Sequence, residues 1–86
     1  ARRRRVVVAG HTDDQRIVSA RFPSNWHLSQ ARAEAVRQVL AARTGMPERF
    51  AAEGRGDTEP LVPNDSAANR ARNRRVDVTV FTSGTP

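Results

Sequence analysis

The sequence has 86 residues, of which 37% are hydrophobic and 28% are charged, with a mean hydropathy of −0.67. A chain of this length holds one small hydrophobic core, so we expect a single domain over residues 1–86. The absence of cysteine excludes disulfides and thiolate metal sites. No apolar run approaches the roughly 20 residues of a membrane span, so we expect any membrane attachment to come from an N-terminal segment outside this sequence.

All fifteen basic residues are arginine and nine residues are acidic, which gives a net charge of +6. This positive charge points to anionic partners, and nucleic acid, acidic lipid and an acidic cell-wall polymer all fit it. Arginine suits each of them because its planar guanidinium binds carboxylates and phosphates through a fork of N–H groups. The charge alone does not choose among the three.

The first predicted element is a strand in "RRRRVVVAG". Val6 to Val8 form a short β-branched run that ends at Gly10, and because the run is continuous we expect burial on both faces. The arginines of residues 2–5 resemble a nucleic-acid arm, but they lead straight into the strand without interleaved aromatics, which favours a solvated edge. Residues 11–25 are polar and turn-prone, so they predict a long loop, the kind of segment that carries function.

The second predicted element is a helix over residues 26–43. Ser24 or Asn25 caps its start, alanine and leucine fill it, and Gly45 with Pro47 ends it. We expect the single tryptophan, Trp26, to be a core or hinge residue at the start of this helix.

The remaining elements are shorter. Residues 49–53 predict a weak strand, a turn-rich segment follows, and residues 66–73 predict a short polar helix capped by Asp65 or Ser66. "RRVDVTVF" alternates strictly and predicts a half-buried strand whose inner face carries Val76, Val78 and Val80. Residues 82–86 are expected to be a tail. Three strands and two helices in this order predict an α+β or α/β sandwich with the helices on one face of a mixed sheet.

One charge lies on the apolar side of the long helix. Arg32 is about 40° round from Leu28, beside further apolar residues, and a buried guanidinium needs an acidic neighbour or a bound anion. Asp13 is a candidate, because the end of a strand lies near the start of the helix that follows it. Asp13 and Arg32 either form an internal salt bridge or flank a pocket for a zwitterion, whose ammonium and carboxylate they bind. Spacing alone favours the salt bridge.

The other polar motifs give weaker signals. His11 and His27 lack a third ligand at a recognisable spacing and a nucleophile in a signature turn, so we expect exposed or capping histidines and no metal. "RGD" at residues 55–57 is explained by a glycine-rich turn. "NRARNRRV" either lines a phosphate groove or pairs around the last strand, and we favour the second for its four arginines, Arg70, Arg72, Arg74 and Arg75.

Taken together, "VVVAGHTDD", "RFPSNWHLSQARAEAV", "EGRGDTEPLVPND" and "NRARNRRVDVTV" resemble the OmpA-like peptidoglycan-binding domain, over about Val6 to Val80. The resemblance implies a two-layer sandwich in the order β-α-β-α-β-β that binds the stem peptide of peptidoglycan non-covalently through its diaminopimelate. It implies no enzymatic activity and no cofactor. The chain begins at what resembles the second strand of the family, so we expect the family's first strand and helix to be absent from this sequence.

The same resemblance assigns roles to individual residues. Asp13 of "GHTD" resembles the acidic ligand of the diaminopimelate ammonium, and Arg32 of "LSQARA" resembles the partner of its carboxylate. This reverses the preference for an internal salt bridge. Leu28 and Asn25 resemble the family positions that shape the pocket and hold the loop. Thr12 resembles a position that lends backbone contacts, and Arg74 of "NRRV" resembles the family arginine near the site.

The "RFPSNWxLSxARA" helix entry resembles two subgroups, the TssL-like anchor of type VI secretion and the flagellar stator protein MotB. The second half of the chain is more similar to the first subgroup. Either one implies a periplasmic domain, tethered to the inner membrane and associated with other subunits of a membrane complex. A partner chain or a homodimer is expected to cover the edge left by the absent first strand. An arginine-rich nucleic-acid module is the less favoured alternative, and an enzyme using His11 and Asp13 as acid and base is a third.

Overall fold

A three-stranded sheet and two helices make up the parts of the chain that the structure, a computed structural model, describes, which are residues 4–16 and 21–82. The strands are β1 (Arg4–His11), β2 (Phe50–Gly54) and β3 (Arg75–Thr82). The helices are α1 (Asn25–Thr44) and α2 (Ala67–Asn73). The strand order is β2-β1-β3, with β2 parallel and β3 antiparallel to β1. The predicted α+β architecture with a mixed sheet is therefore confirmed.

The central strand β1 is buried on both faces, as its continuous apolar run predicts. Val8 is 0% and Val7 6% exposed, although their side chains point to opposite faces of the sheet. The described strand begins at Arg4, within the predicted segment, and extends one residue beyond it to His11, which is 2% exposed. The prediction of an exposed or capping His11 is therefore wrong, because this residue continues a strand that has a neighbour on each side.

The ends of α1 match the predicted caps. The Ser24 side chain accepts a hydrogen bond from the backbone N–H of His27 at 3.3 Å. At the other end Gly45 adopts a φ of 67° and donates its N–H to the carbonyl of Ala41 at 2.9 Å. A left-handed residue is the usual end of a helix and favours glycine. Neither helix in the described part of the chain has the length and hydropathy that crossing a bilayer requires.

The face that α1 turns to the sheet differs from the predicted apolar side. Ser29 and Ala33 are 0% exposed, and Ala33 packs in the core with Val6 and Val8. Arg32 is exposed, so it needs no buried acidic neighbour. The predicted position of Arg32 on the packed side is wrong because the small side chains of Ser29 and Ala33 let α1 lie close to the sheet along their own side of the helix, with Val36 and Leu40 packed against the core.

The second half of the chain follows the predicted order with shifted limits. A short 3₁₀ helix at Pro47–Arg49 leads into β2. The Ser66 side chain caps α2 by accepting a hydrogen bond from the N–H of Asn69 at 3.1 Å. Thr82 belongs to β3 and not to a tail, and the rest of the predicted tail lies outside the described residues.

The valine face of β3 is only partly covered. Its pairing with β1 places Val76, Val78 and Val80 on the same side of the sheet as Val8, towards α1. Val76 packs against the core, but Val78 is 50% and Val80 is 54% exposed. The predicted burial of this face is therefore wrong beyond Val76, because α1 lies over β1 and β2.

The outer edge of β2 is partly capped by a side chain of α1. Gln30 donates its Nε2 to the carbonyl of Ala52 at 3.2 Å and accepts the N–H of Gly54 on its Oε1 at 2.7 Å. One primary amide thus satisfies two backbone groups of an edge strand, which lowers the tendency of that edge to pair with another chain.

Candidate functional site

The candidate site lies where β1 ends. The backbone of Gly10 accepts the N–H of Arg55 at 3.0 Å, and Thr12 donates its N–H to Gly56 at 2.8 Å, so the chain after β1 stays attached to the chain after β2. Thr12 and Asp13 are 4% and 3% exposed. The polar residues that follow β1 are therefore held in a fixed, buried place.

Asp13 is paired with an arginine from the end of α2. Its Oδ2 accepts a hydrogen bond from Nη1 of Arg74 at 2.6 Å, and its Oδ1 accepts the backbone N–H of Gln15 at 3.0 Å. The Asp13 side chain is 4% exposed and that of Arg74 41% exposed. A buried carboxylate is tolerated because both of its oxygens have donors, while the Arg74 side chain remains partly exposed to solvent.

Arg32 has a different environment. It is exposed on α1 and forms no hydrogen bond or ion pair with any residue that the structure describes. The alternative of an internal salt bridge between Asp13 and Arg32, which spacing alone favours, is therefore wrong, since Arg74 holds that carboxylate. The role of Arg32 in binding a ligand stays a prediction.

The first turn of α1 holds the loop that carries Asp13. Asn25 donates from Nδ2 to the carbonyls of Gln15 at 3.0 Å and of Asp13 at 3.4 Å. Leu28, on the next turn, is 7% exposed. Hydrogen bonds and an ion pair thus join four of the six predicted site residues, because Thr12, Asn25 and Arg74 each bond to Asp13.

Glycines allow the helix to come this close to the sheet. A Cβ on Gly10 would lie 2.1 Å from the carbonyl oxygen of Ser29, and one on Gly54 would lie 2.8 Å from its Oγ. That Oγ donates to the carbonyl of Trp26 at 2.8 Å and accepts the N–H of Gly56 at 3.0 Å. Sequence reasoning missed Ser29, since its partner lies 27 residues away.

Three of the four arginines of "NRARNRRV" pair with acids, as favoured over a phosphate groove, whereas Arg72 is exposed. Arg70 donates Nε to Asp14 at 3.1 Å, and Arg75 donates Nε to Asp77 at 3.1 Å. Arg70 and Arg74 therefore neutralise the adjacent carboxylates of Asp14 and Asp13 after β1, whereas the pair of Arg75 with Asp77 lies within β3.

The histidines take two different environments. His27 is exposed, and its Nδ1 lies 2.7 Å from the Ser24 hydroxyl, so the predicted capping position is confirmed for this residue. His11 is buried, with Nε2 3.2 Å from a carboxylate oxygen of Asp77 and with Nδ1 lacking a hydrogen-bond partner. Burial, aided by the nearby Arg75, lowers the pKa of His11. The described residues contain no group of three side chains suited to a metal.

Two other predictions concern residues next to the site. Trp26 begins α1 with its neighbours as expected, but it is 52% exposed, so it is not a core residue. The "RGD" motif forms a turn in which Gly56 has a φ of 57°, and Arg55 is bound to Glu53 and Glu59 at 2.6 Å each. The turn explanation is confirmed.

The chain is similar to solved structures and to curated sequences. It is 57% identical to the cell wall anchor of the T6SS from Pseudomonas aeruginosa, with a TM-score of 0.86, over 92% of this chain and 55% of that one. It is 34% identical to the C-terminal domain of Helicobacter pylori MotB, with a TM-score of 0.85, over 94% of this chain and 60% of that one. Motility protein B of Bacillus subtilis is 37% identical over 94% of this chain and 31% of its own length.

The chain spans about a third of the length of the first curated relatives that it matches. The sequence profile of the OmpA family matches residues 1–74. The mixed sheet, the helix order and these similarities agree with that match, and the chain belongs to the OmpA family.

Proposed function

We propose that this chain is a non-catalytic module that binds peptidoglycan through the diaminopimelate of the stem peptide, and so anchors a type VI secretion membrane complex to the cell wall. Membership of the OmpA family and the similarity to a T6SS cell wall anchor support the proposal. The observation that carries it is that the chain offers both charges that a zwitterion needs: a buried, oriented carboxylate at Asp13 and, on α1, an exposed guanidinium at Arg32 without a partner among the described residues.

Asp13 has the chemistry to receive an ammonium group. A carboxylate offers about four acceptor positions, and the two hydrogen bonds from Arg74 and Gln15 leave capacity for another donor. Because the side chain is nearly buried, its attraction for a cation is screened less than that of a surface aspartate. The guest ammonium joins Arg74 at this carboxylate, which requires the half-exposed guanidinium to shift.

The free end of diaminopimelate carries a carboxylate next to its ammonium. Arg32 supplies a guanidinium that no described residue pairs with, and the forked N–H geometry of arginine binds carboxylates in a bidentate manner. Arg74, whose Nη1 contacts the Asp13 carboxylate and whose side chain is partly exposed, adds a second positive charge beside this site. Asn25 and Thr12 hold the loop in one conformation, which lowers the entropy lost on binding.

The proposal is tested by calorimetric titration with a diaminopimelate-containing tripeptide and by co-sedimentation with purified peptidoglycan. Asp13→Asn keeps the shape of the side chain, and Arg32→Gln keeps much of its length. We expect each to weaken binding at least about thirtyfold, because each leaves one charge of the bound ligand without its partner. Arg72→Gln is the matched control, since Arg72 is an exposed arginine of α2 outside the site.

A lysine-containing tripeptide tests the role of Arg32 separately, because lysine has the ammonium but lacks the adjacent carboxylate. We expect the chain to prefer the diaminopimelate peptide, and Arg32→Gln to remove that preference. Equal binding of the two peptides, or unchanged binding by Asp13→Asn, contradicts the proposal.

A MotB-like flagellar stator domain is the second candidate, supported by the similarity to the MotB structure and sequence. Both candidates use the same ligand chemistry. They differ in the membrane complex, so affinity purification of the full-length protein distinguishes them by whether secretion or stator subunits are recovered.

The arginine pairing argues against a nucleic-acid module. Arg70, Arg74 and Arg75 are each bound to a carboxylate, which leaves fewer charges for phosphates. Phosphate-dominated binding falls steeply with salt and would survive Asp13→Asn, whereas the proposed binding depends on that carboxylate.

In this proposal residues 1–86 act as one domain in the periplasm, and another part of a longer protein tethers it to the inner membrane. The outer edge of β3 has no neighbouring strand among the described residues. We propose that a partner chain or a second copy pairs there. Light scattering that finds only monomers contradicts the homodimer.

A further inference from the structure

Asn73, the last residue of α2, is the most completely bonded polar side chain near the site. It is 0% exposed. Its Oδ1 accepts the backbone N–H groups of Leu61 at 2.8 Å and Val62 at 3.1 Å. Its Nδ2 donates to the carbonyl of Val62 and to Oδ1 of Asn64, both at 2.8 Å. A buried amide with all of these partners holds its surroundings in one arrangement.

These bonds tie the turn-rich segment of residues 61–64 to the end of a very short helix. With seven residues, α2 is too short to be stable by its own backbone hydrogen bonds. Its position therefore depends on contacts at its ends, and the Asn73 amide is the buried contact at the C-terminal end. A substitution that removes this amide frees both the segment and the helix end.

The next residue along the chain is Arg74, which pairs with Asp13. Arg74 leaves the helix at a φ of −76° and a ψ of 89°, with its N–H bonded to the carbonyl of Arg70 at 3.1 Å. From that backbone position its side chain reaches the Asp13 carboxylate 61 residues earlier in the sequence. The backbone conformation at residues 73–74 sets the direction in which the Arg74 side chain leaves its Cα. It therefore decides whether the guanidinium reaches the Asp13 carboxylate.

We propose that Asn73 is a positioning residue of the Asp13 site: its amide clamps residues 61–64 to α2 and thereby fixes the backbone from which Arg74 reaches Asp13. This inference rests on the proposed function, because the affected property is ligand affinity. Asn73 itself touches no ligand. Its whole effect on binding passes through Arg74.

A double-mutant cycle tests this. Affinity for the diaminopimelate-containing tripeptide is measured for the unsubstituted chain, Asn73→Ala, Arg74→Ala and the double variant, at a temperature where each is folded by circular dichroism. We expect Asn73→Ala to weaken binding about fivefold when Arg74 is present and less than about twofold when it is absent. Asn69→Ala is the matched control, because Asn69 lies on the same helix and its side chain donates from Nδ2 to Oδ1 of Asp65 on the surface at 2.8 Å.

A purely structural role gives a different result. If Asn73→Ala weakens binding equally with and without Arg74, or does not weaken it at all, the inference is overturned. Should Asn73→Ala fail to fold, Asn64→Ala replaces it, because it removes one of the four hydrogen bonds and leaves three. Its expected loss is about twofold, again only when Arg74 is present.

A ligand-free measurement separates this inference from the proposed function. The side-chain N–H resonances of Arg74 in an NMR spectrum report its pairing with Asp13. We expect Asn73→Ala to shift them and Asn69→Ala to leave them in place. A chain that binds no peptide but shows this shift contradicts the proposed function and not the positioning role, whereas unshifted Arg74 resonances overturn the positioning role whatever the peptide does.

Discussion

The carboxyl end of β1 and the outer part of β3 belong to one sheet, but they are covered in different ways. At the end of β1, Gly10 lets the backbone of Ser29 approach so closely that no side chain fits between them. On β3, Val78 and Val80 point to the helix side of the sheet and remain about half exposed. The first region is closed by close backbone packing and hydrogen bonds, and the second carries apolar surface in contact with solvent.

The difference indicates that stability and the candidate site share the same end of the molecule. Ser29, Asn25 and Asn73 join segments far apart in sequence around Asp13. The exposed valines of β3 contribute little to burial within the described residues. Substitutions in the two regions should therefore lower the free energy of unfolding by different amounts, and the following experiments measure that difference.

We expect the largest effect from Gly10→Ala. The new Cβ would lie 2.1 Å from a backbone carbonyl oxygen, so α1 has to move away from β1. The expected loss is about 3 kcal/mol or more of the free energy of unfolding, measured by urea denaturation. The control is Gly45→Ala at the other end of α1, where no atom lies within 4 Å but φ is +67°. Its expected loss is about 1–2 kcal/mol. Equal losses would show that the close approach of α1 to Gly10 does not add to the cost of placing alanine there.

A smaller difference in stability is expected between substitutions of two valines, one in β1 and one in β3, the strand that pairs with it. Val8 is 0% exposed in the core, and Val80 is 54% exposed on β3. We expect Val8→Ala to lower the free energy of unfolding by about 2 kcal/mol and Val80→Ala by less than about 1 kcal/mol. Chemical denaturation of both variants measures the contrast. A loss at Val80 as large as that at Val8 would mean that β3 is covered in solution.

The smallest effect is expected from pH, through His11. Burial first, and then the charge of Arg75, lower its pKa from the ordinary value of 6.5, while Asp77 acts in the opposite direction. The unfolded chain therefore binds a proton near pH 6.5 when the folded chain does not. Stability from this group is complete above that pH and decreases as the pH falls towards the lowered pKa. Protonation would also place an N–H at Nδ1, which has no partner.

Urea denaturation between about pH 7.5 and about pH 5.5 measures this decrease. His11→Gln should remove its histidine component, and His27→Gln, at the exposed position on α1, should retain it. An unchanged pH dependence in His11→Gln would show that other groups cause it.

The parts of the fold that could be predicted from sequence are those with local causes. Ser24, Ser66 and Gly45 act within a few residues of their own position, so the limits of both helices were predicted almost to the residue. The burial of β1 on both faces also follows from its own sequence, since a continuous apolar run indicates a strand that is covered on both sides.

The predictions that failed depend on partners far away in sequence. Helical spacing placed Arg32 on the packed side of α1, but the glycines of β1 and β2 select Ser29 as the closest contact. Asp13 lies at the end of β1 as predicted, yet its partner within the chain is Arg74, which only the folded position of α2 reveals. Asn73 carries no local signal at all, because its partners are backbone groups of a turn.

The hydrogen bonds of the Gln30 amide to β2 also affect how many copies of the chain can associate edge to edge. It occupies Ala52 and Gly54, which leaves only the first part of that five-residue strand open. Two copies that pair through β3 would each present the blocked edge outwards. Such an association ends at two chains, and growth into a continuous intermolecular ribbon is disfavoured from the start.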